Sequence, residues 1–187
     1  MKKKLFRNES FLALVILSTL IFACTENKVS VKNKMYFDLP NYFKQEAQSL
    51  NDKKFGISKT LVKDGKTEII KSDSVDWNNE LQTFIAIDLN KSAWIGKFEM
   101  DSAITNDSTK WVVYKCEEEN IPVKLVYFEY LNNRINYIII ENRTDNIAFS
   151  KYAKMIYHFG HAIHIENELK ISFIGDVNFQ IDAKIIQ

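Results

Sequence analysis

The sequence predicts an α+β fold, two N-terminal helices packed on a mostly antiparallel β-sheet meander. Three observations predict it. Apolar residues recur at helical spacing in two early stretches. From Trp111 onward they alternate or run in strand-length blocks. Tight-turn pairs, Asp64-Gly65 and Asn132-Asn133, separate several blocks and favour hairpins over crossovers.

The first helix starts at Asp38, whose carboxylate can cap it, with Pro40 tolerated in the first turn. Leu39, Phe43, Ala47 and Leu50 form its apolar stripe to about Asn51. Strands at 55–63 and 66–71 follow as a hairpin. A second helix is expected from Asp76 to about Leu89, with Trp77, Leu81, Phe84 and Ile85 on one stripe and a further turn carrying Ala93 and Trp94. Strands are then expected at 111–117, 121–131, 134–142, 147–157, 162–173 and 177–185. A two-residue turn at Asn132-Asn133 puts Val126, Phe128 and Tyr130 on a face with Ile139, Tyr137 and Ile135. Leu125 and Tyr127 then join Ile140 and Ile138 on the other face. Both faces are apolar, so this hairpin is placed centrally, covered on both sides or lining a groove. In the last two strands Ile163, Ile165, Leu169, Ile171 and Phe173, then Val177, Phe179, Ile181, Ala183 and Ile185, point inward, and the polar residues between them meet water.

Composition narrows the function. The chain has 187 residues, with 25 Lys+Arg against 24 Asp+Glu and 46% hydrophobic residues. That is globular usage, not that of a disordered chain, a collagen-like fibre or a disulfide-dense mini-protein. A net charge of +1 gives no electrostatic footprint for nucleic acid. Residues 35–187 are one domain's worth of chain.

The first residues read as an address. Lys2, Lys3, Lys4 and Arg7 form a basic head, and an apolar run from Phe11 to Ala23 follows, too short to span a bilayer. Ile21-Phe22-Ala23-Cys24 resembles the lipobox of bacterial lipoproteins, with Phe22 bulkier than that family's usual residue. The resemblance implies a signal peptide at 1–23, acylation of Cys24, and anchoring to a membrane of the cell envelope, the outer membrane by preference. Residues 24–34 then form a solvated tether. Removing 1–23 removes four cations and one anion, so 21 cations and 23 anions leave a mature charge of −2. A negative body is not drawn to anionic lipid, and the acyl chains are left to hold the protein. With Cys24 committed to lipid, Cys116 has no disulfide partner in the chain and is read as a small buried hydrophobe.

Candidate chemistry is sparse. His158, His161 and His164 raise a metal question. A three-residue loop Phe159-Gly160-His161 pairs Tyr157 with Ile163 and Met155 with Ile165, leaving His158 and His164 on the wetter face and His161 at the tip. A two-residue loop would bring His158 and His161 together but match the core residues less well. Only two imidazoles share a face in either register, with Glu166 as a third donor, so no metal site is expected. Glu117-Glu118-Glu119-Asn120 reads as a solvated turn, since it lacks the alternating acids and Gly of a calcium loop. Neither a catalytic motif nor a cofactor fingerprint is present. Tyr127, Tyr130, Tyr137, Tyr152 and Tyr157 can form a sugar- or peptide-binding surface or fill the core. Asp73-Ser74-Val75, Asp101-Ser102-Ala103 and Asp107-Ser108-Thr109 resemble the O-glycan acceptor of exported proteins in some Gram-negative bacteria, which implies Ser74, Ser102 and Ser108 as glycosylation sites.

The leading expectation is a non-enzymatic envelope lipoprotein, a binding or assembly module with no cofactor whose partner is an envelope protein or glycan. The alternatives are a small hydrolase or isomerase using His158 or His164 with Glu166 in a sheet groove, and an apolar-ligand carrier with a cavity.

Overall fold

Nine strands join edge to edge into one antiparallel sheet. The computed structural model describes residues 34–173 and 175–187. The export segment, Cys24 and the tether up to Asn33 lie outside the described residues. The strands are β1 (Gly56–Lys63), β2 (Lys66–Ser72), β3 (Glu99–Asn106), β4 (Thr109–Lys115), β5 (Val123–Leu131), β6 (Arg134–Asp145), β7 (Phe149–His158), β8 (Ala162–Ile171) and β9 (Gly175–Ile186). Their spatial order is β2-β1-β9-β8-β7-β6-β5-β4-β3. Thus β3 to β9 form an uninterrupted meander, and the β1–β2 hairpin is added to the free side of β9.

The helices are small. They are α1 (Leu39–Asp52), α2 (Trp77–Glu80), α3 (Gln82–Ile85) and a 3-10 turn at Ser92–Trp94. Only 16% of the structure is helical, which overturns the expected α+β class: this is a mainly-β fold with helical cover. The topology explains the cover. The chain leaves β2 at one edge and must reach β3 at the other, about 38 Å away at ~4.8 Å per strand. Residues 73–98 make that passage across one face.

The first helix forms as its sequence dictates. Asp38 Oδ1 accepts the Asn41 N–H at 3.3 Å, Pro40 sits in the first turn, and Leu39, Phe43, Ala47 and Leu50 are buried. The expected second helix is broken. Trp77, Leu81 and Phe84 are all fully buried, yet Leu81 separates two single turns and the second ends at Ile85. There burial switches to alternation: Ile87 and Leu89 are inside, with Asp88 between them half-buried. Asn90 closes the segment, accepting the Tyr36 N–H at 2.9 Å and donating to the Tyr36 carbonyl at 3.2 Å. That side chain ties the passage to the segment just before α1.

Aromatic rings join helices to sheet. Phe43 lies 4.7 Å from Phe84 and 5.3 Å from Tyr157, Phe37 lies 4.6 Å from Phe128, and Tyr36 lies 5.7 Å from Tyr114. Such pairs contribute about 0.5–1.5 kcal/mol each beyond area burial. Trp77 also donates from Nε1 to the Phe55 carbonyl at 2.9 Å. Cys116 belongs to the same core, 2% exposed, its N–H donating to the Lys124 carbonyl.

Several strand assignments need correction. β3 was not expected at all: every residue of it is exposed, so no period-2 burial marks it. The β5–β6 turn is the expected two-residue one, with Asn132 at φ 51° and Asn133 at φ 62°. Its register then shifts. Tyr130 pairs with Ile135, but Glu129 pairs with Tyr137, Phe128 with Ile138 and Val126 with Ile140. Asn136 is the bulged residue; its Nδ2 donates to Glu129 Oε1 at 2.8 Å and its carbonyl accepts the Phe159 N–H at 3.0 Å. The bulge sends Ile138 and Ile140, with Phe128 and Val126, to the helix-covered face, reversing the expected assignment. Phe173, expected inward, is fully exposed in the β8–β9 turn.

Candidate functional site

Among the described residues, the helices cover one face of the sheet and leave the other bare. Register builds the bare face row by row, because residues paired across an antiparallel sheet point the same way. One row runs Trp111, Glu129, Tyr137, His158, Ala162. The next runs Val113, Tyr127, Ile139, Ile156, His164, Asp182. A third runs Lys115, Leu125, Glu141, Lys154, Glu166, Gln180. The face therefore grades from aromatic through apolar to charges of both signs.

The aromatic end is ordered by stacking. Trp111 and Tyr127 stack with centroids 6.4 Å apart and 27° between planes. Tyr137 and His158 stack at 4.2 Å and 16°. Val113, between Trp111 and Lys115 on β4, is 5% exposed. Of the five tyrosines singled out in the sequence, Tyr127, Tyr137 and Tyr152 stand on this face, while Tyr130 and Tyr157 lie on the helix side. Trp111 was not singled out; its alternation with Val113 in β4 was the available signal.

The histidine hairpin takes the three-residue loop, with Tyr157 opposite Ile163 and Met155 opposite Ile165. His158 and His164 stand on the bare face and His161 at the tip, as that register dictates. The same loop nevertheless brings the His158 and His161 rings to 4.6 Å, a proximity expected only of the shorter loop. Burial holds His158 below its ordinary imidazole value, helped by the neighbouring His161 and opposed by Glu129. His164 does not pair with Glu166. Its Nδ1 lies 2.7 Å from Asp182 Oδ1, since β9 sets Asp182 directly across. Burial pushes Asp182 up, but hydrogen bonds from His164 and from Gln180 (2.6 Å) outweigh it and hold the carboxyl low. Glu166 instead stands between Lys154 and Gln180.

Elsewhere the candidates are placed as follows. Glu117, Glu118, Glu119 and Asn120 are exposed, with Glu118 paired to Lys97 at 2.7 Å. Among the described residues no group of three His, Cys, Asp or Glu side chains is arranged to hold a metal ion. An open groove of about 640 Å³ beside this turn is lined by Lys115, Glu117, Lys124, Glu141, Arg143 and Tyr152. Charges of both signs and an open mouth are unlike the mostly apolar, enclosed lining of a small-molecule site. Ser74, Ser102 and Ser108 are all exposed, in the β2–α2 loop, on β3 and in the β3–β4 turn.

On the helix side one carboxylate is buried. Tyr157 donates to Glu46 Oε1 at 2.6 Å, joining β7 to α1. Desolvation holds Glu46 above the ordinary carboxylate value, against the Tyr157 hydrogen bond and Lys53. Burial likewise pushes the Tyr157 hydroxyl far up, reinforced by Glu46. No family model, curated protein or solved structure matches the chain.

Proposed function

We propose that this protein is a lipid-anchored envelope lipoprotein acting as a non-enzymatic binding or assembly module, and that the bare sheet face does the binding. One observation carries the reading: alternate residues of the same strands form a face sealed by helices and a face left open, and the open one bears Trp111, Tyr127 and Tyr137 in stacked pairs. Uncovered aromatic area of this kind marks interaction surfaces on soluble domains. The lipobox-like run ending at Cys24 supports the anchor. His164 and Asp182 form an acid–base pair, but the third side chain found beside them is the amide Gln180, not a nucleophile, so the pair supports binding rather than hydrolysis.

One experiment tests both halves. Cells expressing wild type, Cys24→Ala, and Trp111→Ala with Tyr127→Ala are fractionated, and each protein is mixed with isolated envelope glycan and envelope membrane protein. Cys24→Ala is expected to leave the membrane pellet and keep its binding. The aromatic double variant is expected to stay in the pellet and lose binding at least tenfold. A salt-resistant Cys24→Ala pellet removes the anchor, and full binding by the double variant removes the face.

A further inference from the structure

The sheet is open, with β2 and β3 as its edges. Natural edges are blunted against pairing, most often by lysines. β2 is blunted by Lys66 and Lys71. β3 carries neither Lys nor Pro between Glu99 and Asn106; its blunting is confined to the acids Glu99 and Asp101 and a bulge at Thr105. It instead presents two large apolar side chains to water, Met100 at 64% and Ile104 at 80% exposure. Both lie on one face of the sheet, as their partners Tyr114 and Lys110 in β4 require. Midway between them, the Ser102 N–H donates to Asp101 Oδ1 at 2.8 Å, a side chain standing in for an absent neighbouring strand.

We propose that the β3 edge is a homodimer seam, in which a second copy of this chain adds its own β3 antiparallel about a two-fold axis at Ser102. The sequence is self-complementary in that register alone. Ser102 faces the partner's Ser102, each Met100 faces the partner's Ile104, and Asp101 faces Ala103, all within the regular stretch before the bulge at Thr105. Two apolar pairs form symmetrically and no carboxylate meets a carboxylate directly, as a closed isologous interface demands. The outward N–H and C=O groups of Ser102 exchange hydrogen bonds with their symmetry mates once Asp101 swings aside. The two Asp101 carboxylates then lie on the diagonal, about 7–8 Å apart, so added salt tightens the dimer. Centring the same operation on β2 sets Ile69 against itself and leaves Ile70 against Glu68, which gives no second apolar pair. A glycan on Ser102 would occupy the seam, so modification there and dimerisation exclude each other.

The test is a symmetric cross-link in the full chain. Ser102→Cys puts two thiols across the axis at a Cα separation of about 5.5 Å, within disulfide reach. Copper–phenanthroline with dissolved oxygen takes the two electrons and two protons. Wild type reports the background from Cys24 and Cys116, and Ile69→Cys on β2, also exposed at 65%, reports random collision. The expected result is a disulfide-linked dimer of Ser102→Cys at least tenfold above both controls, falling tenfold when Ile104→Lys is added. Wild type should sediment at twice the chain mass, and more completely in high salt. Melting curves confirm that these surface variants are folded. Cross-linking no greater than in Ile69→Cys, insensitivity to Ile104→Lys, an adduct with a different protein, or a glycan found on Ser102 would each overturn the proposal.

Discussion

Tyr157 and Tyr137 stand on neighbouring strands of one sheet, and their surroundings could hardly differ more. Tyr157 points under α1, is fully buried, and spends its hydroxyl on Glu46. Tyr137 points away from the helices and lies flat on His158. The same contrast separates two of the tryptophans, Trp77 of α2, buried in the core, and Trp111, half-buried on the open side. Side-chain type therefore does not say whether an aromatic is core or contact surface. The face decides it, and the face is set by register, which here depends on one bulged residue, Asn136.

The contrast breaks most visibly at the tryptophans. Trp77→Ala should cost about 3–5 kcal/mol, because it opens a core cavity and leaves the Phe55 carbonyl without its donor. Leu81→Ala, also fully buried, should cost about 2–5 kcal/mol. Trp111→Ala should cost about 1 kcal/mol, the scale of its stacking with Tyr127. Denaturant unfolding of the three variants checks the ordering; equal losses for Trp77 and Trp111 would mean the bare face is not bare.

The buried pair sharpens it next. Tyr157→Phe strands Glu46 without its donor and should cost about 1–3 kcal/mol. Glu46→Gln keeps an acceptor and has no charge to desolvate. Because burial raises Glu46, the folded chain binds its proton more readily than the unfolded chain does. That stabilising contribution is fully present below the unfolded value of about 4.3 and is lost as pH rises through the raised folded value. Stability of wild type relative to Glu46→Gln should therefore fall as pH climbs from 4 toward neutrality. Parallel curves across that range would refute the assignment.

The smallest effect belongs to the open side. Replacing His158 and His164 together with Asn removes the stack on Tyr137 and the hydrogen bond to Asp182 and should cost about 1 kcal/mol or less at neutral pH. Zinc added to wild type should not raise its melting temperature, since only a ligand of the native state does so. A zinc-dependent rise that disappears in the double variant would turn the His158–His161 approach into a metal site.

Legibility in the sequence followed the strength of local signals. Asp38, Pro40 and the Leu39–Leu50 stripe made α1 readable almost to the residue. Asp64-Gly65 and Asn132-Asn133 named their turns, and the need to match Tyr157 with Ile163 selected the histidine loop. The α+β class failed because Trp77, Leu81 and Phe84 satisfy a helical stripe for two turns only; the helix ends at Ile85, and Asn90 then ties the chain to Tyr36. The β5–β6 faces failed because nothing in Ile135-Asn136-Tyr137 announces a bulge; only pairing with Glu129 and Phe159 creates it. The His164–Asp182 pair was equally hidden, since β8 and β9 were each read for alternation and not against one another.

The position of β1 bears on how the molecule is made. Gly56 pairs with Ile186, so a strand near the start of the domain finds its second neighbour only in the last one. Contacts of that separation lose the most loop entropy before they return any stability, which slows folding. The β3–β8 meander can zip as it emerges, each hairpin on the one before. The β1–β2 hairpin must wait for the C-terminal strand, and a chain cut short before β9 would leave β8 and β1 as two unpaired edges.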